Sequence, residues 1–178
     1  MSSHSKPDGD RLTARQICIL ALLGTLIFAT KFALSGIPNV NLNTLLIILS
    51  VVFFGWKTLY VVFVYVLLEG LVFGFSLWWF SYLYAWPAVT AVAMIFRKNE
   101  SVFLWAVIGA LCGLFFGPLM YLLYLTVTGW QSAVAMWLAG IPYDLIHCAS
   151  NFLLILFLYK PLYRVFQHFL PKEQEQDH

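Results

Sequence analysis

Asp144, His147 and Asn151 stand at i, i+3 and i+7 in the stretch GIPYDLIHCASN, residues 140–151. At 3.6 residues per turn the three side chains share one face of a helix. A carboxylate, an imidazole and a carboxamide on one face can do three kinds of chemistry. They can hold a polar ligand by donor and acceptor, work as an acid–base pair, or tie neighbouring helices together by hydrogen bonds. The stretch lies in apolar surroundings, and an ionised carboxylate inside a lipid-spanning helix costs roughly 2.5–3.5 kcal/mol on insertion scales. Such a group faces the interior of a bundle or water, and it needs partners.

Candidate partners recur along the chain. Glu69 closes the apolar run 58–75, Asn39, Asn41 and Asn43 open the run 40–54, and Lys31 ends the run 14–34. Lys31, Glu69 and Asp144 read either as a structural ion-pair network or as groups that contact a ligand. Aromatic residues cluster nearby. The segment FSLWWFSYLYAW, residues 75–86, is expected to be the connection after the third apolar run, and Trp130, Trp137 and Tyr143 come from a later connection. These rings read as an interfacial belt or as the wall of a pocket. The expected pocket has a polar floor of Asp144, His147 and Asn151, with Glu69 opposite, walled by Trp78, Trp79, Tyr82, Trp86 and Tyr143, and Asn41 and Asn43 are also expected to bind the ligand.

The elements that must position these residues follow from composition. Of 178 residues, 62% are hydrophobic and only 10% charged, more apolar surface than a soluble domain of this size could hide. Runs of about 18 apolar residues or more span a bilayer. The expected fold is an all-α integral membrane protein of the cell membrane, a compact bundle of six transmembrane helices. The spans are 14–34, 40–54, 58–75, 83–96, 102–128 and 140–159. Residues 1–13 form one polar tail, 14–165 the membrane domain and 166–178 a charged tail. The second span is short enough to be tilted or partly re-entrant, and Pro118 is expected to kink the fifth. The first apolar run is too long for a cleaved signal and is expected to remain as a span.

Six spans put both termini on one side. Of the ten Lys and Arg residues, only Lys31 falls on the other side, so the positive-inside rule makes both termini cytoplasmic. The polar and aromatic cluster then belongs to the outer half of the bundle. A net charge of +2 calls for no nucleic acid.

Several chemistries are excluded. Gly55-Trp-Lys-Thr58 lacks the upstream glycine of a phosphate-binding loop, and no zinc-protease or serine-hydrolase motif occurs. Uphill transport would therefore draw on an ion gradient or on another subunit. Cys18, Cys112 and Cys148 have no metal-site spacing and read as small buried hydrophobes. Gly109, Gly113 and Gly117 form a double G-x-x-x-G that predicts close helix packing within the chain. Ala21, Thr25 and Ala29 form a second small-residue stripe, open to internal packing or to a partner protein.

Taken together, these residues resemble the substrate-binding S component of an energy-coupling factor (ECF) vitamin transporter, over roughly residues 13–165. The stripe ALLGTLIFA, residues 21–29, is similar to the family's A-x-x-x-A pattern, with Thr25 small but polar at the middle position. NLNTL at 41–45, LEG at 68–70 with Trp78-Trp79, and the stretch from 140 to Asn151-Phe152 resemble the S components assigned to cobalamin. The resemblance implies a binding subunit with no catalysis and no cofactor or metal of its own. It would capture a vitamin from outside, with cobalamin or a related corrinoid as first choice. Through Ala21, Thr25 and Ala29 it would dock on a transmembrane coupling subunit carrying two ATPases, topple, and release the vitamin inward. Other readings remain: an S component for pantothenate, folate, riboflavin or thiamine; a self-sufficient ion-coupled carrier using Glu69 and Asp144; or an intramembrane enzyme using Asp144 and His147.

Overall fold

The computed structural model describes residues 12–170. Among these the chain is mostly helical and forms no strand. The helices are α1 (Ala14–Ala33), α2 (Asn43–Phe54), α3 (Thr58–Phe73), α4 (Leu77–Ile95), α5 (Val102–Leu114), α6 (Phe116–Thr128) and α7 (Trp130–Phe169), with a 3-10 turn at Gly55–Lys57. The outer parts of both expected tails, 1–11 and 171–178, lie outside the described residues. The tail expected from 166 begins inside α7, where Phe166 is buried and its ring lies 5.5 Å from that of Phe53.

α2 is the centre of the bundle. All twelve of its residues are buried, and α1, α3, α4, α5 and α7 all pack on it. Its sequence NTLLIILSVVFF is apolar on every face, as a helix with no exposed side must be. The one mid-helix hydroxyl, Ser50, is satisfied by donating to the Leu46 carbonyl at 2.7 Å. Twelve residues rise only about 18 Å, less than the ~30 Å of a hydrocarbon core. The chain then turns at Gly55, whose φ of +56° lies in the region that favours glycine. α3 returns alongside α2, so that Asn43 Nδ2 reaches Tyr65 Oη at 2.8 Å.

Four helical runs are long and apolar enough to cross a membrane: Ala14–Ala33, Asn43–Phe73, Val102–Thr128 and Trp130–Phe169. Several expected boundaries shift. The aromatic segment 75–86 is not a connection: α4 begins at Leu77, with Ser76 before it. The run 102–128 is interrupted at Phe115, and Pro118 sits in the first turn of α6, where a missing N–H is tolerated. The last helix is not confined to 140–159. It runs for 40 residues, through Pro142 and Pro161, so Trp130, Trp137 and Tyr143 are helical. α5 and α6 run antiparallel to α7 along nearly its whole length, with Trp105 beside Tyr159 and Gly117 beside Asp144.

Candidate functional site: a ring-walled cavity above the short central helix

Because α2 is short, the helices around it enclose space beyond its N-terminus. A cavity of about 480 Å³ lies there. Its wall takes Lys31 from the end of α1, Glu69 from the end of α3, and Trp78, Tyr82 and Trp86 from successive turns of α4. Asn43 of α2, Phe116 of α6 and His147 of α7 complete it, and the segment from Leu34 to Asn41 forms the rim. The other end of the bundle, at the C-terminus of α2, carries Arg97. There the Arg97 guanidinium lies over Gly55, and the Tyr163 ring stands 5.4 Å from Phe53.

The aromatic wall is built from helical spacing. Trp78, Tyr82 and Trp86 repeat every four residues and share one face of α4. Their rings meet edge to face, Trp78 to Tyr82 at 5.2 Å and Tyr82 to Trp86 at 5.7 Å. Phe116 joins α6 to this wall, 4.7 Å from Trp86 and 5.4 Å from the His147 ring. Trp79, one residue on, points elsewhere. Its Nε1 donates to the Val66 carbonyl at 2.7 Å and ties α4 to α3.

The polar groups divide into satisfied and unsatisfied atoms. Lys31 Nζ donates to Glu69 Oε2 at 2.5 Å and to Tyr82 Oη at 3.2 Å, and lies 5.0 Å from the centre of the Tyr82 ring. This is the ion pair that the residue types allowed, and both members also line the cavity. Asn41 Oδ1 accepts from the Asn43 backbone N–H at 3.1 Å, fixing the entry to α2. Four buried atoms on lining residues have no hydrogen-bond partner within the protein: Asn43 Oδ1, Glu69 Oε1, Trp86 Nε1 and His147 Nε2. Buried polar atoms are normally paired, and four of the seven unpartnered ones among the described residues belong to residues that line this cavity.

Asp144, His147 and Asn151 do share the buried face of α7, but they reach different neighbours. His147 alone lines the cavity. Asn151 Nδ2 donates to Thr44 Oγ1 at 3.1 Å and to the Gly109 carbonyl at 3.0 Å, linking α7 to α2 and α5. Asp144, whose buried Oδ2 has no hydrogen-bond partner within the protein, lies against Gly117 at the start of α6. That is the end of a helix that favours an anion. Tyr143 is exposed, and its carbonyl accepts from Asn39 Nδ2 at 2.9 Å. Of the eleven expected ligand residues, Asn41, Asn43, Glu69, Trp78, Tyr82, Trp86 and His147 line the cavity, while Trp79, Tyr143, Asp144 and Asn151 do not.

Two features of the site carry little signal in the sequence. Phe116 is one of 16 phenylalanines, and nothing in its neighbours marks it. Asn39 adopts a φ of +56°, a left-handed conformation that Asn tolerates. There it donates to the Tyr143 carbonyl while its own carbonyl accepts from Ser150 Oγ at 2.9 Å. The rim is thereby fastened to α7 at two points.

The two small-residue stripes behave differently. Gly113 packs directly on the backbone of His147 and Cys148, and Gly109 on Ile155, so the glycine stripe serves packing inside the chain. α1 instead buries Leu20, Leu23, Gly24 and Ile27 and leaves Thr25 and Ala29 exposed, with Ala21 partly so. Thr25 Oγ1 donates to the Ala21 carbonyl at 2.9 Å, which hides the polarity of the stripe.

Among the described residues no group of three or more His, Cys, Asp and Glu side chains is arranged to hold a metal ion. The comparisons with protein-family models, curated proteins and solved structures found no match to this chain.

Proposed function

We propose that this protein is a membrane-embedded, high-affinity binding subunit for a water-soluble vitamin, the S component of an ECF-type importer. In this reading α1, α2, α3, α4, the α5–α6 pair and α7 make six crossings of the cell membrane, with both termini cytoplasmic. The vitamin enters the cavity from outside, a corrinoid such as cobalamin being first choice by resemblance of sequence. The exposed stripe of Ala21, Thr25 and Ala29 docks on the transmembrane coupling subunit, whose two ATPases supply the energy.

One observation carries the reading: four residues that line a single ring-walled cavity each hold a buried polar atom with no hydrogen-bond partner within the protein. Rings that cover apolar faces and a few fixed donors and acceptors are what a small-molecule site requires. The turn at Gly55 and the return of α3 alongside α2 support counting those helices as separate crossings. An acid–base enzyme is less favoured, because Asp144 and His147 reach different neighbours and no hydrogen bond joins them.

Proteoliposomes test the proposal. The protein alone should bind a vitamin and release it unchanged without accumulating it. With the coupling subunit and ATPases it should accumulate the vitamin only when ATP is supplied. Accumulation by the protein alone, driven by a proton or sodium gradient, would instead establish an ion-coupled carrier.

A further inference from the structure

The unpartnered atoms of the cavity are not interchangeable, and their types constrain what completes them. Glu69 Oε1 and Asn43 Oδ1 are acceptors, Trp86 Nε1 is a donor, and His147 Nε2 can be either. Glu69 is 1% exposed, so its carboxylate has no recourse to water. Lys31, the one ammonium on the wall, is already engaged by Glu69 Oε2 at 2.5 Å and Tyr82 Oη at 3.2 Å. The pair cancels its own charge and leaves the cavity no free cation to offer.

A group that satisfies this set must bring N–H to Glu69 and Asn43 and an oxygen to Trp86. A primary carboxamide or a lactam presents both on one planar edge. A carboxylate presents only acceptors. It would meet Glu69 Oε1 and Asn43 Oδ1 with no proton between them, and a buried acceptor left unmatched is costly. The available volume of about 480 Å³ takes a group of one or two rings, so a larger amide-bearing molecule would enter edge first.

We infer that the cavity recognises an uncharged amide edge and rejects the corresponding carboxylate, with Glu69 setting the preference. This rests on the reading of the cavity as a ligand site and adds the chemical class of the group bound there. Trp78, Tyr82, Trp86 and Phe116 cover the faces of the ring that carries the amide, and Trp86 Nε1 donates to the amide oxygen.

The test uses matched probes on the purified full-length protein: nicotinamide against nicotinate, and cyanocobalamin against its monocarboxylic acid, in which one peripheral amide is hydrolysed. Calorimetric titration near neutral pH should show the amide of a pair binding at least about 10-fold tighter than the acid. Glu69→Gln supplies a donor at the same place and frees the Lys31 charge. It should narrow or reverse the ratio of the two dissociation constants, whereas a purely structural role would weaken both members alike. If Glu69→Gln lowers the melting temperature too far to titrate, the wild-type ratio decides alone. Equal or tighter binding of the acid by the wild type overturns the inference and leaves the vitamin-binding reading intact. Failure of both pairs to bind also overturns it, and the binding reading is then judged on the wider vitamin panel.

Discussion

The carboxylate of Asp144 occupies the space that a side chain at Gly117 would need. α6 and α7 therefore approach through a glycine on one side and a carboxylate on the other. Gly117→Val would force the carboxylate away from the start of α6. At Gly113 an added Cβ would stand 2.8 Å from the His147 carbonyl, a backbone atom that cannot give way. Both Gly117→Val and Gly113→Ala should cost the ~1–3 kcal/mol of stability typical of overpacking and so lower the melting temperature. Thermal melts of the purified variants check this, and an unchanged melt for either would contradict the packing described.

Asn151 and His147 lie one turn apart on the same face of α7, yet they should behave as opposites. Asn151 ties three helices through Thr44 and Gly109. Asn151→Ala leaves the buried Thr44 hydroxyl and Gly109 carbonyl without that donor and should destabilise by about 1–3 kcal/mol. Its vitamin affinity, measured below the melting transition, should stay within about two-fold of wild type, since ~0.4 kcal/mol is all that such a change represents. A loss of affinity with an unchanged melt would mean that Asn151 contacts the ligand after all.

The contrast explains how far the sequence could be read. The apolar runs, the polar end of the bundle and the candidate pair Lys31–Glu69 follow from hydropathy and charge alone, because unpaired charge in an apolar helix must find a partner. The four-residue repeat of Trp78, Tyr82 and Trp86 was present to be used, but it separates from Trp79 only if 75–86 is helical. An aromatic run reads as readily as a connection between spans. The partners of Asp144, His147 and Asn151 depend on where α5 stops and α6 begins. That break comes at Phe115, upstream of the proline that would have been its only local signal. The contribution of Phe116 is purely tertiary.

Orientation can be checked by chemical labelling. In a background lacking Cys18, Cys112 and Cys148, Ser35→Cys at the rim of the cavity should react in intact cells with a membrane-impermeant thiol reagent. Glu100→Cys, in the exposed turn beside Arg97 and Lys98, should react only after the cells are permeabilised. The opposite pattern would reverse the orientation and place the cavity on the cytoplasmic side.

The exposed stripe on α1 yields a separation of functions. Large side chains at small-residue positions prevent close helix approach. Ala29→Trp, at an exposed position, should leave vitamin binding and the melting temperature of the isolated protein unchanged. ATP-driven uptake and co-purification with the coupling subunit should both be lost. Normal uptake by this variant would show that the partner docks elsewhere.

The central claim is that the cavity beyond α2 is the vitamin site, and one titration addresses it most directly. The purified wild-type protein is titrated calorimetrically with a panel of water-soluble vitamins, and the vitamin that binds is titrated again into Trp86→Phe. That substitution keeps a ring in the wall and removes the unpartnered Nε1 donor together with part of the indole ring. The account predicts saturable binding of one vitamin class by the wild type. For Trp86→Phe it predicts an affinity about 5- to 150-fold weaker, the equivalent of roughly 1–3 kcal/mol, in a variant that is still folded at the temperature of the titration. No binding by any vitamin, or equal affinity for wild type and Trp86→Phe, would contradict it.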